Sequence, residues 1–192
     1  MIVSPLSLEG SYVIDPERRR DERGYFARVW CENELPSLGL DARIAQVNVA
    51  VSPRAGTLRG LHFQRHPHWE TKIVRCTRGA VFDVIVDLRP NSSTFRQSTG
   101  LELSSENARM IYAPEGTAHG FLTLSDDSEV LYFTSRAYAP EAATGIRYND
   151  PALNIKWPRR IEIVSEADER WPDFVSPHHF PSTPDETEKN NG

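Results

Sequence analysis

The chain reads as an all-β protein folded as an antiparallel sandwich or barrel, and three features carry that expectation. Residues 45–51 (AQVNVAV) alternate apolar and polar side chains with the period of two that a half-buried strand requires. Short strand-like runs recur roughly every 8–12 residues, the spacing of an antiparallel sandwich or barrel. Helical periodicity is scarce.

In chain order, residues 1–10 are too polar to make a core strand alone, and 31–38 (CENELPSL) allow one or two helical turns before Pro36 interrupts them. After the strand at 45–51, the runs 71–75, 80–88 (AVFDVIVDL), 101–103, 109–113, 120–123 and 130–134 read as further strands. Turn chemistry separates them at Arg78-Gly79, at 89–91 (RPN), at 114–116 (PEG) and at the acidic patch 125–129. Asp83 and Asp87 stand out within 80–88, where a sandwich strand is buried. Short helices are expected at 151–154 and 166–169. Past Asn149 the chain carries Trp157-Pro158 and Trp171-Pro172 but few long apolar runs, so it wraps the barrel rather than building a second one. Residues 1–175 are therefore expected to form one domain, and 176–192 a polar, proline-rich flexible tail whose His178-His179 pair is solvated. No internal repeat is present.

At 192 residues the chain has length for one core, and its formal net charge of −5 disfavours a nucleic-acid surface. No apolar run suits a membrane span of about 20 residues, and the start (MIVSPLSLEG) lacks a basic, long-apolar leader. Cys31 and Cys76 are far apart with no metal spacing, as expected of free thiols in a reducing, cytoplasmic compartment. A few well-placed arginines could still hold a phosphorylated ligand.

Candidate chemistry gathers in the middle of the chain. Gly60-x5-His66-x-His68-x3-Lys72-x6-Gly79 and Pro114-x-Gly116-x2-His119 resemble the two motif frames of the cupins, small barrels whose strands point alternate side chains into one cavity. In a metal cupin the histidines and a carboxylate hold a divalent transition metal. Here Lys72 stands at the carboxylate position, and an ammonium supplies no lone pair. Glu70, two residues away, would share the Lys72 face only in a strand register that the motif does not give. The expectation is a cupin-type antiparallel β-barrel with no metal and no cofactor. A cavity with His and Lys points to acid–base or carbonyl chemistry: a neutral imidazole is the natural base near pH 7, and a buried ammonium stabilises a developing oxyanion. His62, Lys72 and His119 lie on strands expected to share that cavity. On a regular strand Arg59 and Leu61 would face away from Gly60 and His62.

At these residues the sequence resembles the dTDP-4-dehydrorhamnose 3,5-epimerase family. The matching blocks run in order over about residues 11–172: DERGYF at 21–26, QVN at 46–48, LRGLHFQ at 58–64, KIV at 72–74, DVIVDLR at 83–89, AHGF at 118–121, Tyr132, YAP at 138–140, YNDP at 148–151, IKWP at 155–158 and SEAD at 165–168. The resemblance implies a cofactor-free jelly roll that epimerises a nucleoside-diphosphate 4-keto-6-deoxyhexose, and a homodimer whose N-terminal strands pair across subunits. It implies that His62 is the general base, Asp168 its orienting partner, Lys72 the stabiliser of the enolate oxygen at C4, and Tyr132 the acid on the opposite sugar face. Arg23 and Arg59 correspond to diphosphate clamps, where forked charge-assisted bonds are strong. Gln46, Asn48 and His119 would line the substrate, Tyr138 would stack on the nucleobase, and Phe26 and Arg28 complete the substrate-binding set.

Three positions depart from the family pattern: Arg28 and Ala143 stand where it has Glu, and Ala167 where it has Lys. A carboxylate accepts the thymine N3–H, whereas a guanidinium only donates. Two outcomes are open for Arg28: a shift of preference toward bases rich in acceptors, as in CDP-sugars, or an arginine turned to solvent. Inversion at C3, at C5 or at both is not decided by spacing. Other classes are a metal-dependent cupin oxygenase using His66, His68 and His119, and a non-catalytic sugar-nucleotide binder.

Overall fold

The computed structural model describes residues 1–174, so the tail expected at 176–192, with His178 and His179, lies outside the described residues. One sheet runs in the order β1 (Ile2–Pro5), β2 (Tyr12–Asp15), β10 (Met110–Ala113), β7 (Lys72–Arg78), β12 (Ser128–Thr134), β5 (Gln46–Ser52). The other runs β13 (Ala143–Gly145), β6 (Leu58–Gln64), β11 (Thr117–Thr123), β8 (Ala80–Asp87), β9 (Ser98–Ser104). A separate hairpin joins β3 (Arg19–Asp21) to β4 (Gly24–Phe26). The strand pairs are antiparallel, as the period-two pattern requires.

Alternation decides what each face buries. Val81 and Ile85 of β8 join Val74, Cys76, Ile111, Phe121 and Val130 in the core between the sheets. Val84 and Val86 point the other way, where Leu153, Ile155, Trp157 and Phe174 of the C-terminal segment cover the outer face. The wrap expected from the sequence is thus a layer packed on β6, β8 and β11. On the outside of the other sheet, Leu35 and Leu40 cover Ile14, Ile73, Met110 and Tyr112. Val47, Val49 and Val51 of edge strand β5 remain 52, 57 and 44% exposed.

The acids of β8 now have an account. Asp83 shares the inward face with Val81 and Ile85 and meets His119. Asp87 closes the strand by accepting from Arg89, Ser92 and Thr94. Two expectations need correction. Pro36 does not interrupt α1 (Glu34–Ser37) but sits within its first turn, where a missing N–H costs nothing. Residues 151–154 form a turn over 151–153 rather than a helix, because the Asp150 carboxylate takes the Ala152 N–H. Residues 1–10 contribute β1 by pairing at a sheet edge with β2. The helix at 166–169 is present as α2 (Glu166–Glu169), with Ser165 Oγ accepting the Asp168 N–H as its cap. Among the described residues no helix is long and apolar enough to cross a membrane.

Candidate active site

A cavity of about 940 Å³ opens between the sheets, and both contribute walls. Period two turns Gln46, Asn48 and Ala50 of β5, and Tyr132 and Thr134 of β12, toward it; β7 supplies Lys72, β6 supplies Arg59, His62 and Gln64, and β11 supplies His119 and Phe121. Residues from 163 to 171 close one side.

Arg59 and His62 both line the cavity, which a regular strand would forbid. The interruption is Gly60, with φ +123°, at a shift of register between β6 and β11. A Cβ there would stand 2.6 Å from Gly120 Cα and 2.9 Å from the His119 carbonyl, so only glycine lets the two strands approach this closely. The expectation that Arg59 and His62 face opposite sides fails for this local reason.

The dyad is explicit. His62 Nε2 lies 2.6 Å from Asp168 Oδ1, and the Gly60 N–H donates to Asp168 Oδ2 at 3.2 Å. Burial acts to raise the Asp168 carboxyl, but the bonds from His62, Gly60 and Trp171 outweigh it and hold the group below the usual carboxylate range. It is therefore an anion at neutral pH. With the Nε2 proton donated to that anion, Nδ1 of His62 carries the lone pair.

Lys72 Nζ donates to the His62 carbonyl at 3.3 Å and pairs with Glu70 Oε1 at 3.3 Å, both side chains being nearly buried. Glu70 in turn accepts from Gln64 Nε2 at 3.1 Å. So Glu70 does approach Lys72, from the segment before β7 rather than from a strand register. Tyr132 is pushed above the ordinary phenol range, first by burial and then by Glu70, so it is a protonated donor at neutral pH. His119 Nε2 meets Asp83 Oδ2 at 2.9 Å; Asp83 is fully buried, its carboxyl is driven upward by that burial, and its Oδ1 has no hydrogen-bond partner among the described residues. Arg59 is held by Ser52 Oγ and the Val51 carbonyl, while Gln46 accepts the Tyr138 N–H at 2.7 Å.

Thus His62, Lys72, Tyr132, Asp168, Gln46, Asn48, Arg59, His119 and Tyr138 border one cavity. Arg23, Phe26 and Arg28 do not reach it within this chain. Arg23 and Phe26 sit on the solvent-exposed β3–β4 hairpin, where Arg23 folds back on Asp21 at 2.6 Å and Phe26 is 64% exposed; Arg28, just beyond the hairpin, lies 3.7 Å from Glu34. His66 and His68 of the metal-type frame also lie elsewhere, His66 against Trp69 and His68 toward Glu141. Among the described residues no group of three or more His, Cys, Asp or Glu side chains converges as a metal set.

Sequence reasoning missed Gln64, Glu70 and Trp171 as parts of the site. Glu70 is two residues from Lys72, and Trp171 is three from Asp168, about one helical turn; neither spacing is distinctive without the fold. Ala143 and Ala167, two of the departures from the family pattern, also line the cavity.

A two-sheet cupin jelly roll with a histidine held by an ionised aspartate on one wall and a protonated tyrosine on the other defines an acid–base enzyme of the barrel type. The sequence matches the family model for dTDP-4-dehydrorhamnose 3,5-epimerase over residues 5–176, and the chain belongs to that family. It is 47% identical over 168 residues to the dTDP-4-dehydrorhamnose 3,5-epimerase of Methanothermobacter thermautotrophicus, covering 86% of this chain and 90% of the relative. Among solved structures, the Elizabethkingia anophelis dTDP-4-dehydrorhamnose 3,5-epimerase superposes with a TM-score of 0.88 at 40% identity, covering 91% and 96% of the two chains. The Legionella pneumophila dTDP-6-deoxy-D-glucose-3,5-epimerase, solved in complex with dTDP-4-keto-L-rhamnose, gives 0.84 at 36% identity, covering 90% and 92%.

Proposed function

We propose that this chain inverts C3 and C5 of a dTDP-linked 4-keto-6-deoxyhexose. The observation that carries the reading is the placement of base and acid on opposite sheets. His62 stands on β6 and Tyr132 on β12, with the cavity between them. Inversion through a planar enolate requires a proton to leave one face and another to arrive on the other.

In the proposed cycle, His62 Nδ1 takes the proton from the carbon beside the C4 ketone. The electron pair of that C–H bond becomes the enolate double bond, and the ketone π pair moves onto oxygen. The Lys72 ammonium meets that oxyanion. The Tyr132 hydroxyl then protonates the carbon from the other face, and solvent restores both groups. Asp168 stays ionised, holds the imidazole in the useful tautomer and stabilises the imidazolium while it exists. Arg59 takes the diphosphate, and Tyr138, at the rim, takes the base.

The assembly follows from what the chain leaves exposed. The uncovered valines of β5 and the stranded Arg23 and Phe26 support a homodimer in which the β3–β4 hairpin of one subunit completes the other's cavity. Mixing Arg23→Ala chains with His62→Ala chains should restore activity in the mixed dimer, because one of its sites keeps both wild-type residues; no restoration would refute the crossing. The Arg28–Glu34 pair favours a guanidinium already engaged over one that selects a new base, so dTDP should stabilise the protein to heat more than CDP does. The test of the reaction is turnover of dTDP-4-keto-6-deoxyglucose in heavy water. Deuterium at C3 and C5 of an inverted product, absent with His62→Ala, is expected; unlabelled sugar would leave only a binder.

A further inference from the structure

Trp171 lies outside every residue set used in the cycle above, yet its indole touches the base's partner. Its Nε1 donates to Asp168 Oδ1 at 3.2 Å, the same oxygen that meets His62 Nε2 at 2.6 Å. The indole ring also stands edge-on to the imidazole, with centroids 6.3 Å apart and planes at 72°. One carboxylate oxygen thus has two donors competing for its charge, while Oδ2 is occupied by the Gly60 N–H.

The seat of the indole is built by a second residue. Gly145 of β13 pairs with His62 of β6. A Cβ on Gly145 would stand 2.5 Å from Trp171 Cε2 and 2.6 Å from both Cδ2 and Nε1. The backbone of Gly145, unlike that of Gly60, does not lie in the left-handed region, so conformation does not demand glycine here. Space does: the pyrrole ring of Trp171 fills the place of the missing side chain.

We infer that Trp171, seated on Gly145, is a positioning residue that weakens the hold of Asp168 on the His62 proton and so keeps the imidazole free to act as a base. The inference rests on the proposed role of the dyad. A carboxylate oxygen that already accepts one hydrogen bond carries less charge toward the next donor. Without the indole N–H, Oδ1 turns its full charge on the imidazole, and the dyad takes up its proton at a higher pH. Other ionisable groups facing the dyad come from several elements: Arg59 on β6, Lys72 on β7 with Glu70 before it, His119 on β11 with Asp83 on β8, and Tyr132 on β12. Near Trp171 are the ion pairs Glu166–Arg170 and Arg147–Asp173, and Glu169. A change from indole to phenyl alters none of these charges, so a shift in dyad titration reads the lost N–H.

Two variants test this. Trp171→Phe keeps an aromatic ring against Gly145 and removes the donor; Gly145→Ala keeps the donor and pushes the indole off its seat. The proton uptake of the dyad is followed in the free protein by NMR of the imidazole carbons, the His62 signal being identified by its loss in His62→Asn. The expected result is a midpoint raised by about 0.5–1 pH unit in both variants, with the acid limb of kcat/KM moving with it, so that activity on that limb falls about 3–10-fold and recovers at higher pH. An unmoved midpoint in either variant overturns the inference, whatever happens to activity. A raised midpoint in a protein that does not epimerise the keto sugar upholds the tuning and refutes the proposed reaction instead.

Discussion

Replacing Asp168 by Asn changes one atom and tests the dyad in two independent ways. The carboxylate now accepts from His62 and Trp171 at Oδ1 and from Gly60 at Oδ2. An amide has one oxygen and one NH2, so it cannot serve both sides. With its oxygen toward His62 and Trp171, the NH2 faces the Gly60 N–H. With the amide flipped, the NH2 faces the Trp171 N–H and forces His62 to accept at Nε2, which moves the imidazole proton to Nδ1 and removes the base. Either way one buried donor is left facing another, at a cost of about 1–3 kcal/mol. For a chain of this length that lowers Tm by roughly 2–12 °C. Loss of the anion and of the useful tautomer should slow proton abstraction about 10³–10⁴-fold, as the same exchange does in a hydrolase triad, equivalent to roughly 4–5.5 kcal/mol of barrier. The assay is deuterium incorporation into the keto sugar, followed by NMR beside a thermal melt. A variant that exchanges within about tenfold of wild type would refute the account of Asp168.

Three further outcomes follow from the same geometry. Glu70→Gln removes one of the causes raising Tyr132, after burial, so the alkaline limb of the kcat profile should move to lower pH; an unmoved limb would exclude electrostatic contact between them. Gly60→Ala combines overpacking against Gly120 with a backbone angle that L side chains avoid, costing about 2–6 kcal/mol, read as a lower denaturant midpoint; wild-type stability would contradict the close approach of β6 and β11. For Asp87, burial raises the carboxyl, but bonds from Arg89, Ser92 and Thr94 outweigh it and depress it. Its stabilisation is therefore full above the unfolded carboxylate value of about 3.9 and is lost as pH falls through the lower folded value. Asp87→Asn should be less stable than wild type at pH 7, with the gap closing below about pH 4; a gap independent of pH would refute the assignment.

How much of this was legible in the sequence depended on range. The apolar run 80–88 pointed to strand β8 and marked Asp83 as a buried acid, but its partner His119 lies on a neighbouring strand and became visible only with β11 beside β8. The ordered blocks placed His62 and Asp168 in one site although 106 residues separate them. Their joint distance depends on Gly60, whose left-handed backbone breaks the alternation on which the reading of Arg59 relied. Trp171 was legible only as part of the wrapping C-terminal segment, because nothing local shows that Gly145, on another strand, leaves room for an indole. The hairpin residues Arg23 and Phe26 were legible as a motif, yet a motif does not say whether it serves its own chain or a second copy.

The central claim is that base and acid act from opposite walls, and Tyr132→Phe in heavy water tests it most directly. The hydroxyl is lost while His62, Asp168 and Lys72 remain. The account predicts that the variant still exchanges the proton beside the C4 ketone for deuterium, returned from the His62 face, while forming little inverted product. Inversion at the wild-type rate, or loss of exchange together with inversion, would contradict it.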